Sequence, residues 1–121
     1  MAGLPERLAG PVDLFVRRIA GVRALCAVND VALSLVLLPG RSCVEAPDTL
    51  SATFQDELRR QILAKQADLG TPLIDLAAQL ASLYANSGEA LFHQHEGHPN
   101  PAGHEAVAEL LLASVMPRGT P

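Results

Sequence analysis

The sequence predicts an α/β protein in which parallel strands are covered by helices, part of a three-layer α/β/α arrangement. Three observations predict it. The segments read in the order helix, strand, helix, strand, helix, loop, helix, an alternation that builds parallel sheets. The run Val31 to Leu38 is apolar except for Ser34, has no period of two and stops at Pro39-Gly40. It is short for a helix and reads as a strand buried on both faces. Only one further strand is visible, and a two-stranded sheet is marginal in water. The expected sheet is therefore incomplete, with its N-terminal strands missing.

At 121 residues the chain is one domain at most. Residues 1–10 read as a tail or linker, 11–116 as the C-terminal part of one α/β domain, and 117–121 as a tail. The composition is 49% hydrophobic and 18% charged, which is globular. Aromatics make up 3% and Trp is absent, so aliphatic side chains must fill the core. The net charge of −4 and a single lysine, Lys65, argue against nucleic acid as a partner. No apolar run is long enough to span a bilayer, and the N-terminus has no signal-peptide core. Cys26 and Cys43 have no motif spacing and read as idle thiols. The compartment stays unassigned.

The elements follow in order. Gly10-Pro11 starts the first helix, with Pro11 in its first turn and Asp13 at its positive end. Phe15, Ile19, Val22 and Cys26 share one face, while Arg17, Arg18 and Arg23 fall elsewhere and should be solvated. Asn29-Asp30 is a turn. Ser34, within the apolar run, reads as a core serine bonded to backbone. Gly40 to Thr49 reads as a loop. A long helix then runs from about Ser51 to Leu69, capped by Ser51 or Thr53. Phe54, Leu58 and Ile62 are its buried stripe, and Gly70 ends it. Thr71 to Asp75 is the second strand. Asp75 caps the helix Leu76 to Tyr84, and its place at a strand end is also where ligands gather in open α/β sheets. Asn86-Ser87-Gly88 is a turn. The closing helix spans Pro101 to about Val115 and buries Ala106, Val107, Leu110 and Leu111.

The stretch Leu91 to Leu112 holds every histidine of the chain: His93, His95, His98 and His104. Asn100 is a good N-cap and Pro101 suits the first helical position. His98 is thereby placed in a loop just before a helix N-terminus. The positive end of that helix disfavours a second positive charge nearby, and a neutral imidazole is the form a general base needs.

The run Glu96-Gly97-His98-Pro99-Asn100-Pro101-Ala102-Gly103-His104, followed by Ala106-Val107-Ala108, resembles the C-terminal catalytic block of SGNH (GDSL-type) hydrolases. There an acid and a histidine precede the last helix in an acid…His-x-Asn-x-x-Gly-(His/Asn) pattern. The resemblance implies a flavodoxin-like, SGNH-type fold and a serine ester hydrolase or related O-acyltransferase. It implies His98 as the general base and Glu96 as its acid. The commonest family pattern has Asp three residues before the His, where this chain has His95; some branches read acid-Gly-His, as here. The family's Gly-Asp-Ser nucleophile block, oxyanion glycine and GxND element are absent. Asn29-Asp30 does not replace the last, because Ala27 stands where its Gly should be. Ser34, Ser42, Ser51, Ser82, Ser87 and Ser114 all lack the Gly-Asp-Ser setting, so the chain alone should be inactive. The partner implied is an ester or acyl-bearing small molecule or glycan in the full-length protein. No cofactor and no metal is expected.

Two other function classes compete. His93, His95, Glu96, His98 and His104 lie within twelve residues and offer enough imidazoles for zinc, though without a recognised ligand spacing. Alternatively, the chain is a non-catalytic half-domain that pairs with another chain, or with itself, through the unpaired edge of Val31–Leu38.

Overall fold

A computed structural model describes residues 2–115 and corrects the predicted fold class. The described residues are 65% helical and contain among them only a two-stranded parallel sheet, not a three-layer α/β/α flavodoxin-like, SGNH-type arrangement. The elements are α1 (Leu4–Val28), β1 (Leu35–Leu37), α2 (Arg41–Glu45), α3 (Leu50–Ala64), α4 (Gln66–Leu69), β2 (Leu73–Asp75), α5 (Ala77–Ser87) and α6 (Pro101–Val115). The physical reason lies in Val31–Leu38. Only three of its residues pair as strand, and Val31 and Leu38 are each 57% exposed. An apolar run becomes a doubly covered strand only when helices flank both faces. Among the described residues this run has no such cover, and Ser34 is exposed rather than in a core.

The chain divides into two compact units. Among the described residues the first comprises 2–36 and 54–74, the second 37–53 and 75–115.

In the first unit, helix α1 begins at Leu4, within the stretch expected to be a tail or linker. Pro5 sits in its first turn, where a missing N–H costs nothing. Leu8 and Val12, a helical turn apart, are buried. Pro11 is inside this helix rather than at its start. It has no N–H to give the Arg7 carbonyl. Of the expected stripe, Phe15, Ile19 and Cys26 are half-buried and continue the line of Leu8 and Val12, while Val22 is exposed. Arg17 and Arg18 are exposed as predicted, but Arg23 is not simply solvated: its Nη1 donates to the Leu69 carbonyl at 2.9 Å. That bond joins α1 to the end of α4.

The predicted turn at Asn29-Asp30 forms, and it caps α1. Asp30 takes the left-handed conformation (φ 56°), the Asp30 N–H donates to the Ala27 carbonyl, and the Val31 N–H to the Cys26 carbonyl at 2.8 Å. This is the Schellman pattern. The expected long helix is broken at Lys65 into α3 and α4, and Gly70 (φ 64°) ends α4. Ile62 and Leu69 are buried, while Phe54 is largely exposed. On α3, Glu57 accepts from Arg60 at 2.9 and 2.6 Å and from Gln61 at 2.9 Å. The Arg60 bonds, then the Gln61 bond, hold the Glu57 carboxyl down at about 2.

In the second unit, the stretch expected as a loop after Gly40 contains the short helix α2, which packs on α5. Thr49, rather than Ser51 or Thr53, caps α3: its Oγ1 accepts from the Ala52 N–H at 3.2 Å. Asp75 does cap the next helix, accepting from the Ala77 N–H at 3.2 Å. Helix α5 runs on through the expected turn to Ser87, and Gly88 (φ 68°) stops it. Val44, Ala52, Leu76, Ala77, Leu80, Leu91 and Phe92 form the core of this unit. Helix α6 packs on α5 and starts at Pro101, as predicted. The expected tail at 117–121 lies outside the described residues.

Candidate active site

Leu91 and Phe92 are buried and anchor the histidine stretch. The chain leaves Phe92, turns through residues 94–98, and returns at Pro99. Phe92 and Pro99 form an antiparallel bridge. The His93 N–H donates to the His98 carbonyl and the Asn100 N–H to the Leu91 carbonyl, both at 3.0 Å. The histidine loop is thus a small hairpin with a paired stem and a tip at residues 95–97.

Asn100 locks this hairpin to α6. Its Oδ1 accepts from the Gly103 N–H at 2.8 Å, which is the N-cap bond. Its Nδ2 donates to the Ala90 carbonyl at 2.8 Å and the Phe92 carbonyl at 3.4 Å. Gly103 is buried, and a Cβ there would run into the Leu91 carbonyl oxygen. The Asn and Gly of the motif therefore have structural jobs: one caps, the other admits a backbone carbonyl against the helix.

The predicted site residues come together, loosely. His98 Nδ1 lies 3.8 Å from Glu96 Oε2, with side chains 82% and 60% exposed. That is ion-pair range but longer than a hydrogen bond. Catalytic hydrogen bonds in unliganded enzymes are often long and tighten only with substrate. On the far side of the ring, Nε2 has no hydrogen bond among the described residues. His93, His95 and His104 are exposed as well. Among the described residues no group of three or more His, Cys, Asp or Glu side chains is gathered as metal ligands would be. The serines are engaged elsewhere or stand apart: Ser42 Oγ donates to Ser51 Oγ at 3.0 Å, and Ser87 and Ser114 bond to carbonyls of their own helices.

Two residues at this loop were not foreseen. Glu45 Oε1 accepts from the Leu91 N–H at 3.0 Å, and its Oε2 from Arg41 Nε at 3.1 Å. Arg41 Nη1 also donates to the Gln94 carbonyl. The Arg41/Glu45 spacing of four was the available signal, since such residues share a helix face.

A shallow open groove of about 350 Å³ lies between α5 and α6, lined by Ala78, Gln79, Ser82, Leu83, Asn86 and Leu110. It includes none of the histidine-loop residues. No family model, curated protein or solved structure matches this chain.

Proposed function

We propose that this chain supplies the acid–base pair of an SGNH/GDSL-like serine ester hydrolase or O-acyltransferase, with His98 as general base and Glu96 as the acid that orients it. One observation carries the proposal. The carboxylate lies on the Nδ1 side of His98, at 3.8 Å, and leaves Nε2 open. In a triad the acid fixes the tautomer through one ring nitrogen while the other takes the serine proton. The serine oxygen then attacks the ester carbonyl, and the imidazolium returns the proton to the departing alcohol. In the second half-reaction, water or an acceptor hydroxyl gives its proton to the same Nε2 and attacks the acyl carbonyl, and the imidazolium returns that proton to the serine oxygen as the acyl–serine bond breaks. The nucleophile would come from a Gly-Asp-Ser segment, which this sequence does not contain.

The test uses the gene product with its whole reading frame. An in-frame Gly-Asp-Ser after a predicted strand upstream of Met1, a serine labelled by a fluorophosphonate, and ester hydrolysis lowered about 10²–10⁴-fold by His98→Ala are expected. Hydrolysis indifferent to His98→Ala refutes the base role. Esterase activity from the 121-residue chain alone, abolished by His98→Ala, would place the nucleophile inside this chain instead.

A second reading, a non-catalytic module that pairs with another chain, is favoured by the exposed apolar residues Val31, Val36 and Leu38. A stop codon close upstream of Met1, with a gel-filtration mass above that of a monomer, would put this reading first.

A further inference from the structure

We infer that Arg41 and Glu45 are the positioning residues of the histidine loop, their ion pair holding the Leu91 amide and the Gln94 carbonyl and thereby setting where His98 stands. The inference deepens the proposed base role of His98 and rests on it for its catalytic meaning.

Glu45 differs from an ordinary surface partner. Its side chain is only 8% exposed. A carboxylate taken out of water must be matched at both oxygens, and here one holds a guanidinium and the other a backbone amide. Arg41, 40% exposed, reaches past the pair to the Gln94 carbonyl. Helix α2 therefore grips the outgoing strand of the hairpin at two points, Leu91 and Gln94. The returning strand is held in turn by the outgoing one, through His93 N–H to the His98 carbonyl and Asn100 N–H to the Leu91 carbonyl. His98 lies on this held stem. Glu96 lies in the tip, where among the described residues no backbone hydrogen bond restrains residues 95–97 and Gly97 has open space around it. The base is placed by the scaffold, and the acid has room to close on it.

Alternatives to a clamp are weaker. An exposed i,i+4 pair contributes little and reaches nothing else. This one spans 46 and 53 residues of sequence to meet the loop.

Amide hydrogen exchange on the whole 121-residue chain tests it. Glu45→Ala should speed exchange at Leu91 and His93 about 10–100-fold, the range expected when a buried charged acceptor is lost. Glu45→Gln, whose side-chain oxygen can still accept from Leu91, should recover most of that protection. Amides in the middle of α3 should change little. Arg41→Lys keeps the charge but loses the fork, and should speed exchange at His93 about tenfold. Should Glu45→Ala fail to fold, Arg41→Lys decides. Unchanged exchange at Leu91 and His93 in the folded variants overturns the clamp. In the whole-frame gene product, Glu45→Ala should lower kcat about tenfold with KM within about twofold, while His98→Ala removes hydrolysis. An unaffected kcat overturns the catalytic part of the inference when His98→Ala is inactive. If hydrolysis ignores His98→Ala, the base role has failed, and the exchange data still decide the clamp.

Discussion

Gly103→Ala should destabilise the histidine loop and α6 together. The added methyl would meet the Leu91 carbonyl oxygen head-on, with the Leu91 carbonyl carbon at 3.0 Å and Pro99 Cβ at 3.1 Å. The obstacle is backbone and cannot rotate away. Overpacking of this kind costs about 1–3 kcal/mol. Moving the Leu91 carbonyl also weakens its bond from the Asn100 N–H, about 1 kcal/mol more. Restricting the unfolded chain returns about 0.4–1 kcal/mol. The net loss is about 2 kcal/mol, or about 8 °C in Tm for a chain of this length. The chain has no Trp but is mostly helical, so circular dichroism at 222 nm during urea and thermal unfolding is the assay. Gly97→Ala is the control, because nothing lies within 4 Å of its Cβ position. It should stay within about 0.5 kcal/mol of the parent. A Gly103→Ala midpoint equal to or above the parent's would refute the close approach of Leu91 to α6.

Gly21→Ala should raise stability by about 0.5–1 kcal/mol, because Gly21 is inside α1 with open space at its Cβ; a lower urea midpoint would contradict it. Glu57 gives a pH signature. Its folded value of about 2 lies below the ordinary 4.5, so its stabilisation is complete above about 4.5 and is lost as pH falls through the folded value. Urea midpoints should therefore fall less steeply with acid below pH 4.5 in Glu57→Gln than in the parent. Equimolar zinc should leave Tm unchanged, because the imidazoles of the loop are not gathered; a rise of several degrees, reversed by a chelator, would show that they converge in solution.

Short-range chemistry was legible in the sequence and longer-range cover was not. Asn100, Pro101 and the start of α6 followed from capping alone, which needs only neighbours in the chain. Asp75 as a cap and Asn29-Asp30 as a turn rest on the same local bonds. The run Val31–Leu38 does hold a strand, Leu35–Leu37, but its expected burial on both faces failed, because apolar content does not say whether another element covers it. Gly10-Pro11 looks like a helix start, but Leu8 and Val12, a turn apart across it, share the buried face of one continuous helix. At the site, the pairing of Glu96 with His98 was visible as spacing. The roles of Glu45 and Arg41 were not, since their partners lie 46 and 53 residues away.

That separation also orders events in time. Arg41 and Glu45 are neighbours on one helical turn and can pair as soon as α2 forms. Leu91 leaves the ribosome 46 residues after Glu45, a delay of about 2–9 s at synthesis rates of roughly 5–20 residues per second. During that interval the carboxylate lacks its amide. Helix α2, five residues long, is too short to hold that pair in place alone, so anchor and hairpin settle together once α5 and the loop have been made.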